Sequence, residues 1–330
     1  MEMEHNAYLV LPRLQVQNLN TLSSPMTWGA PSITAAMGFM LALQRKIPFE
    51  WEIDLLSIGM VIHDFEPQVN GNYVKKFNLT RNPLGKDGKT PGITEEGRAH
   101  ATVSLVFGAY IDGNTADNHL LQERVSDIYK LASSMRFAGG SIIYNSKNWH
   151  SPQLQILGDD EEADEKYLAK LKRSLLPGFA LISRDDALLA HTKKLQTENS
   201  ELTALDAWLD LSRINKRCVV TQTEQASGEV KETLEWKSDR EKGSGWLVPI
   251  PVGYSALSEL YEAGEVQNTR DPNVPFRFVE SMYSIGEWCS PHRLASLDEL
   301  LWYSSADHDA GVYRCLNKNL NQKTLTKTNQ

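Results

Sequence analysis

Cysteine is scarce in this 330-residue sequence. Its three cysteines, Cys218, Cys289 and Cys315, lie far apart, with no C-x-x-C pair and no histidine at zinc-finger spacing. We therefore expect neither a disulfide framework nor a structural zinc site. Cys289 precedes His292 in the run CSPH, but sequence neighbours rarely form a thiol–imidazole pair, so we expect a packed cysteine there rather than a nucleophile.

Long apolar runs and a basic start are also lacking. No apolar run reaches the roughly 18 residues that a membrane span requires. The opening MEMEHNAYLV is acidic and lacks the basic region and the following apolar region of a signal peptide. These absences predict a cytoplasmic protein with no membrane partner.

The chain has no excess of positive charge. Its 34 Lys and Arg residues face 42 Asp and Glu residues, which gives a formal net charge of −8. A protein that coats nucleic acid by bulk electrostatics is normally basic, because phosphate contacts need cations. Any contact with a polyanion must therefore be local. With 41% hydrophobic and 23% charged residues, the composition is that of a globular protein and excludes disordered and fibrous classes.

Motifs of nucleotide hydrolysis and metal catalysis are missing as well. The sequence contains no G-x-x-x-x-G-K-[ST] motif, and its eight histidines form no H-x-x-x-H pair. A metal-independent endoribonuclease is the alternative function, since it needs only a histidine acid or base and a cation. His63, His100 and His292 are its candidates, although each is more readily explained as a structural or surface histidine.

What the sequence does contain is an alternation of strand and helix patterns over its first 145 residues. The order is strand, helix, strand, strand, helix, strand, at residues 7–17, 32–46, 53–65, 99–111, 118–136 and 141–144. Ser32 is the expected N-cap of the first helix, which we expect to be buried. This order is that of the ferredoxin-like or RRM-like split βαβ, an antiparallel sheet backed by two helices.

Residues 66–98 interrupt this order with a segment rich in proline, glycine and asparagine. Its turn signals, Asn70-Gly71 and Asp87-Gly88, predict a long protruding hairpin. From Tyr73 to Thr90 it holds five cations and one acid, a net charge of +4. The cations are Lys75, Lys76, Arg81, Lys86 and Lys89. We call residues 66–98 the basic hairpin.

The first strand and the basic hairpin together predict single-stranded RNA binding, as on RRM-like sheets. The polar face of the strand carries Arg13, Gln15 and Gln17, and the following segment adds the side chains of Asn18, Asn20 and the aromatic Trp28. A solvated strand face and a mobile loop explain the same composition equally well. The run Gly139-Gly140-Ser141 is either a helix C-cap or a loop that admits an RNA phosphate.

The second half of the chain is less regular. Residues 159–165 place six acids in seven positions, which favours an exposed helix N-terminus over a metal site. We expect a strand at 177–183, a helix at 202–214, and a surface loop or weak hairpin at 221–245. Two prolines in GWLVPIPVGYSAL predict an edge strand or an extended packing segment, and the polar tail after Leu316 is expected to fray.

Several long motifs resemble one protein family in the same order along the chain. They are LPRLQVQNLNTLSSPMTWGAPS, FNLTRNPLGKDG with EEGRAH after it, MRFAGGSI, LLPGFALISR, GWLVPIPVGYSALSELY and RFVESMYSIGEWCSPHRLASLDELLWY. Over roughly residues 7–315 the chain resembles the second, small subunit of the type I-F CRISPR surveillance (Csy) complex. That family is a branch of the RAMP-fold proteins that cap the 5′ end of a guide RNA. The acid run and the 221–245 segment carry no motif of this family.

The resemblance implies an α+β fold with an RRM/ferredoxin-like RAMP body over residues 1–150. Residues 66–98 would be its inserted thumb hairpin, and residues 151–330 a C-terminal elaboration packed on the body and on a partner. It also implies no catalytic activity and no cofactor. Because related RAMP proteins cut guide precursors, cleavage of repeat RNA is the alternative.

The partners implied by the resemblance are RNA and other protein subunits. The chain would hold the 5′ handle of the crRNA, form a heterodimer with the large PAM-recognising subunit and contact the first copy of the repeated backbone subunit. Target DNA near the PAM would be contacted indirectly or non-specifically. In such assemblies guide pairing reads sequence, while protein subunits read the PAM and shape.

The same resemblance assigns RNA-binding residues to three segments. The first strand and its loop would line the handle site through Arg13, Gln15, Gln17, Asn18, Asn20 and Trp28. The thumb would contribute Lys75, Lys76, Asn78, Arg81, Asn82 and Lys86. A glycine loop near the RNA would consist of Arg136, Gly139, Gly140 and Ser141. We expect Trp246, Trp288 and Trp302 in the core or at a subunit interface rather than in RNA stacking.

Overall fold

The structure is a computed structural model with a mixed α+β fold. It describes residues 4–112, 118–144, 150–158, 160–214, 216–224, 230–238, 240 and 243–318. The helices are α1 Ile33–Gln44, α2 Asn118–Ser133, α3 Glu161–Ser174, α4 Asp185–Glu198 and α5 Ala204–Ser212. Among the helices in these ranges, none is both long and apolar enough to cross a membrane.

Eighteen strands occur in the described residues, most of them in one large sheet. They are β1 Ala7–Asn20, β2 Leu22–Ser24, β3 Thr27–Trp28, β4 Ile53–Pro67, β5 Val69–Asn70, β6 Lys76–Arg81, β7 Ile93–Glu96, β8 Arg98–Ile111 and β9 Arg136–Phe137. The second nine are β10 Gly140–Ile143, β11 Gln153–Ile156, β12 Phe179–Ser183, β13 Lys216–Glu224, β14 Val230–Ser238, β15 Leu247–Ala256, β16 Val279–Cys289, β17 Trp302–Asp307 and β18 Val312–Asn317.

The predicted order of the first 145 residues is confirmed. It appears as β1, α1, β4, β8, α2 and β10, and the basic hairpin interrupts it between β4 and β8. Four of these strands lie side by side in the order β10–β1–β8–β4, and each neighbouring pair is antiparallel. Ser32 caps α1 as expected, because its Oγ accepts a hydrogen bond from the Ala35 amide at 3.2 Å.

The two faces of this four-stranded region are covered differently. On one face, alternate β1 residues such as Leu14 and Val16 pack in a core with α1 and α2. On the other face, Tyr8 and Val10 pack in a second core with Leu171 of α3. That second core covers only the first half of β1, so the second half of β1 leaves Gln15 and Gln17 exposed on that face. The sheet therefore has an uncovered polar end.

The C-terminal half of the chain continues the same sheet. β4 pairs with β8 on one side and with β12 and β17 on the other. The pairings β12–β16–β15–β18–β17 then return to β4 and close a ring of strands. Trp302 lies in its core at 1% exposure, where its Nε1 donates to the Leu181 carbonyl at 2.9 Å, which confirms the expected core position.

The edge prediction for β15 holds only at its prolines. Pro249 and Pro251 pair with β16 on one side, and β18 pairs with β15 only from Gly253 onward. A proline nitrogen has no hydrogen to donate to a neighbouring strand. The prolines accordingly lie in the part of β15 that has no partner strand on its second side. The sequence pattern predicted this local edge but not the later central position of the strand.

Other elements differ in detail from the sequence predictions. α4 was not predicted. Where a surface loop or weak hairpin was expected at 221–245, β13 and β14 pair in regular register, from the pair Lys216 and Ser238 to the pair Glu224 and Val230. Asp160 caps α3 by accepting from the Ala163 amide at 3.1 Å, so the helix N-terminus expected at the acid run is confirmed for its described residues. Asp159 and the tail beyond residue 318 lie outside the described residues.

Candidate nucleic-acid interface

A polar surface crosses five strands at the uncovered end of the sheet. Its side chains are those of Arg136, Ser141, Gln15, Gln17, His100, Thr102, Asp64 and Glu66. Directly opposed residues of antiparallel strands point to the same face, as Ser141 does with Gln17 and with Arg136. We call this surface the open face.

The two glutamines of β1 are the most accessible of the residues predicted there. Gln15 and Gln17 are exposed, and within the described residues their side chains make no hydrogen bond to the protein. An amide has two donors and an acceptor, so both can hydrogen-bond to a base or a phosphate. These two positions therefore match the prediction of a polar strand face.

Arg13 is partly engaged in holding the fold. It lies at a β-bulge between Leu11 and Leu14 with a φ of 48°, and its Nη2 donates to the Leu176 carbonyl at 2.8 Å. Its Nε is buried without a hydrogen-bond partner. The guanidinium thus ties β1 to the segment that precedes β12, and only part of it is left for a ligand.

Asn18 and Asn20 are exposed but hydrogen-bonded within the chain. The Asn18 Oδ1 accepts from Gln68 Nε2 at 2.6 Å, which links β1 to the root of the basic hairpin. The Asn20 side chain donates to the Leu22 carbonyl at 2.8 Å and accepts from the Leu22 amide at 3.1 Å. Both asparagines therefore shape the loop after β1.

The basic hairpin projects from the ends of β4 and β8. β5, β6 and β7 form a small three-stranded sheet of its own, and residues 71–76 and 81–90 are all exposed. Among the predicted RNA-binding residues, Lys76, Arg81 and Lys86 make no ion pair with described residues. Lys75 donates to the Gly71 carbonyl at 3.0 Å, and Asn78 and Asn82 make side-chain hydrogen bonds within the hairpin.

Charge is unevenly distributed along the basic hairpin. Arg81, Lys86 and Lys89 lie in the outer part, together with Asp87. Lys76 pairs with Asn70 and Glu96 with Asn78, so Lys75 and Lys76 lie as near the root as the carboxylates of Glu66, Glu95 and Glu96. Glu96 is paired there with Arg98 at 3.2 Å. The sequence window that suggested a net +4 did not include these carboxylates, so the arm is basic in its outer part and of mixed charge at its root.

Trp28 connects the loop after β1 with the basic hairpin. Its ring lies 6.0 Å from that of Phe77 between centroids, at an interplanar angle of 51°, and the side chain is 49% exposed. An exposed indole offers a face for base stacking. The predicted stacking residue thus lies next to the predicted cationic arm.

The glycine run at 139–140 is neither a helix cap nor an open loop. α2 ends at Ser133, and β9 and β10 form a tight hairpin whose turn residues, Ala138 and Gly139, have φ values of 47° and 76°. Two residues of positive φ suit a two-residue hairpin turn, so the C-cap interpretation is wrong. This hairpin places Arg136 and Ser141 on the open face.

The three candidate histidines of a ribonuclease lie on separate elements. His63 Nδ1 bonds to the Pro177 carbonyl at 2.7 Å and its Nε2 to Ser104 Oγ at 2.6 Å. Burial lowers the pKa of His63, and the nearby charge of Arg13 lowers it further. The hydrogen bond to Pro177 raises this pKa but does not outweigh the other two effects. His100 Nδ1 accepts from the Asn18 amide at 3.3 Å, and His292 is exposed beside Ser290. Among the described residues, no group of His, Cys, Asp and Glu could hold a metal ion.

Sequence reasoning missed two carboxylates and a threonine on the open face. Asp64 and Glu66 are exposed on β4, and Thr102 lies between Gln15 and Asp64. The available signal was the alternation in HDFEP and in RAHATVS, where every second residue is polar. These acids make the β4 side of the open face anionic and leave its β9–β10 side, with Arg136, the better side for a phosphate.

The family of CRISPR-associated proteins described as Cas_Csy2 has a model that matches residues 9–315. The CRISPR-associated protein Csy2 of Pseudomonas aeruginosa (strain UCBPP-PA14) is 48% identical over 314 residues, which cover 93% of this chain and 94% of that protein. The motifs that suggested the resemblance lie within the matched range. The chain therefore belongs to the Csy2 family of CRISPR-associated proteins, as its resemblance to the second subunit of the type I-F Csy complex indicated.

Proposed function

We propose that the chain is a non-catalytic, RNA-binding subunit of a type I-F CRISPR surveillance complex that caps the 5′ handle of the crRNA. One observation carries the proposal. The basic hairpin continues directly from β4 and β8, two of the strands whose polar side chains form the open face. Hydrogen-bonding groups, an exposed indole and a cationic arm are thus adjacent, as recognition of single-stranded RNA requires.

The fold assigned by this proposal is an RRM-like RAMP body with a thumb. The strand order β10–β1–β8–β4, with α1 and α2 as the connections, supports the body over residues 1–150. The basic hairpin is the thumb, which folds over the guide. Residues 151–330 are the elaboration, and their strands extend the sheet through β4.

Protein partners in this proposal are the large PAM-recognising subunit and the first copy of the repeated backbone subunit. Exposed apolar side chains on the basic hairpin, Leu79, Leu84 and Ile93, support a protein contact beside the RNA contact. The net charge of −8 supports RNA contact that is confined to this region. Target DNA near the PAM is contacted indirectly or non-specifically.

The absence of a catalytic step is part of the proposal. Both ring nitrogens of His63 are used within the protein. With Nδ1 donating to a carbonyl, Nε2 of the neutral ring accepts from Ser104, so neither nitrogen is free to exchange a proton with RNA. This arrangement supports a structural role.

The test neutralises the tip of the basic hairpin. Arg81→Gln with Lys86→Gln should weaken retention of an RNA that bears the repeat-derived 5′ handle, because two cations near the phosphates are lost. If each contacts one phosphate, the slope of log affinity against log salt should shrink by about 0.7 per contact, the value for single strands. Filter binding over a salt series, with the chain copurified with the large subunit, measures both quantities.

The matched control neutralises two exposed cations on α3, Lys170→Gln with Arg173→Gln, and should leave the salt slope unchanged. RNA recovered after incubation in EDTA should be intact. Equal retention by the hairpin variant and by the wild type, or cleavage that disappears in His63→Ala, would contradict the proposal.

A further inference from the structure

A cavity of about 420 Å³ opens beside β4, at the base of the basic hairpin. Its walls are largely apolar, come from distant parts of the chain and include five aromatic rings. The rings are those of Trp28, Phe65, Phe179, Trp246 and Trp288. The exposed side chain of Asp64 also lines it, on the strand that contributes to the open face. We call it the aromatic cavity.

The walls of the aromatic cavity are ordered by contacts with one another. The rings of Phe179 and Trp246 meet edge to face with centroids 5.4 Å apart, and the Trp288 amide donates to the Trp246 carbonyl at 3.0 Å. Trp246 nevertheless remains 56% exposed. A tryptophan held in place on one side and open on the other is a stacking platform that needs little ordering when a ligand binds.

Charge selects the kind of ligand that suits this cavity. Trp28 lines it and also contacts Phe77, next to Lys76 of the basic hairpin. A nucleotide phosphate would therefore lie on the side of Lys76, away from the acids of β4, while its base entered the cavity. Base–aromatic stacking is the main sequence-tolerant contribution to single-strand binding. Asp64 adds an acceptor for an exocyclic amino group of the base.

A second exposed aromatic cluster has the opposite electrostatic surroundings. Tyr261, Phe276 and Phe278 contact one another edge to face on the 257–280 surface. The acids of that segment are Glu259, Glu262, Glu265, Asp271 and Glu280, against Arg270 and Arg277. A phosphate is repelled there. Accessible aromatic rings are therefore not by themselves sufficient for a base-binding site, and this acidic cluster serves as a control.

We propose that the aromatic cavity binds one unstacked nucleobase of the guide RNA, with Trp246 as the stacking platform, a role that differs from the core or interface position expected from the sequence. The inference rests on the proposed function, because it names the cavity in which part of the same RNA is held. The cavity volume falls within the range of small-ligand pockets, and a single base is a flat apolar ligand with polar edges. One nucleotide is thus turned out of the strand beside the hairpin.

The test removes the base and the platform in turn. Handle RNAs that each carry one abasic nucleotide are titrated against the full chain copurified with the large subunit. One abasic position should weaken binding by about tenfold, the size expected for a lost stacking contact. Trp246→Ala should weaken binding of intact RNA by a similar factor. In this variant the same abasic position should weaken binding no further, because both changes remove the same contact.

Trp246→Phe should retain the effect of the abasic position, and Phe278→Ala in the acidic cluster should leave the whole abasic profile unchanged. Phe179→Ala is the second cavity variant if Trp246→Ala fails to fold. An unchanged abasic profile in both cavity variants would overturn the inference while the proposed function stood. Loss of the large subunit at unaltered RNA affinity would also overturn it, since the occupant would then be protein. Failure of the wild type to hold RNA would refute the proposed function itself.

Discussion

At the scale of single residues, a cluster of hydrogen-bonded side chains connects residues near both ends of the described chain to the turn that contains Asp298. The Tyr8 hydroxyl donates to Asp298, His5 Nε2 lies 3.1 Å from Asp298 Oδ1, and Lys318 Nζ lies 3.4 Å from His5 Nδ1. Burial by itself raises the pKa of Asp298, but the hydrogen bonds from His5 and Tyr8 outweigh burial and hold that pKa below its ordinary value. Burial and the Asp298 charge raise the pKa of Tyr8.

Asp298→Asn should therefore destabilise the protein by about 1 kcal/mol at pH 7, the size of a partly exposed charged hydrogen bond. A carboxyl whose folded-state pKa is lowered stabilises the fold above its unfolded-state pKa of about 4, and this contribution is lost as pH falls through the lower folded-state pKa. Urea unfolding at neutral and at acidic pH measures the difference, which should shrink in acid. Asp309→Asn, at an exposed position, is the control; a pH-independent difference would contradict this account.

Individual site residues were predictable where a strand pattern alone decides exposure. Gln15 and Gln17 alternate with Leu14 and Val16, and the structure exposes the glutamines and buries the two apolar residues. Arg13 follows the same alternation, but its bulge and its bond to Leu176, 163 residues away, depend on the packed fold. The aromatic cavity was not predictable for the same reason, since its rings come together only through the pairing of β12, β15 and β16.

At the scale of elements, the β9–β10 hairpin packs against β1 without room for a side chain at one position. A Cβ added at Gly140 would lie 2.7 Å from both the Gln17 carbonyl oxygen and the Leu19 amide nitrogen. At Gly139 the nearest atom is Arg98 Nη1 at 3.9 Å, although the φ of 76° strains any other residue. Two adjacent glycines are thus required for different reasons, one by packing and one by backbone conformation.

Gly140→Ala should be the more damaging change, because backbone atoms of β1 must shift by several tenths of an ångström. We expect a loss of about 2–3 kcal/mol in unfolding free energy, as in overpacked cores, against about 1 kcal/mol for Gly139→Ala. Chemical denaturation of the two variants under identical conditions provides the comparison. Equal losses would mean that β10 and β1 are not so closely packed.

Elements whose signals are local were predicted, and those that depend on distant partners were not. The Ser32 cap and the apolar spacing of α1 lie within one short segment. The C-terminal end of β15 is central in the sheet because it pairs with β18, nearly 60 residues later, and no local pattern indicates that pairing. The sequence around α4 begins with paired acids and contains few buried positions, so its helical pattern is weak.

At the scale of the whole molecule, β4 joins the two halves of the chain. It pairs with β8 from the first half and with β12 and β17 from the second, and Leu181, Ile250 and Trp302 belong to the same core as β1. A boundary near residue 150 separates two segments along the sequence, but both segments contribute side chains to one packed core. The proposed body and its elaboration therefore share one core in the described residues.

This shared core predicts one cooperative unfolding transition. Far-UV circular dichroism reports the helices and the sheet, and tryptophan fluorescence reports largely the second half, which holds Trp208, Trp236, Trp246, Trp288 and Trp302. The two urea curves should have the same midpoint. Trp302→Phe should shift both midpoints together to lower urea, because it removes the bond to Leu181 that spans the ring of strands. Separate midpoints would show that the halves unfold independently.

The position of the cations on the basic hairpin has a kinetic consequence. A cationic outer part held away from an acidic body forms an extended dipole, which turns that part toward an approaching polyanion before contact. Electrostatic steering of this kind acts on the rate of encounter and is screened by salt, whereas contacts made after docking govern the lifetime of the complex. The outer part thus acts first as a guide for diffusion, and the acidic body reduces encounters in the wrong orientation.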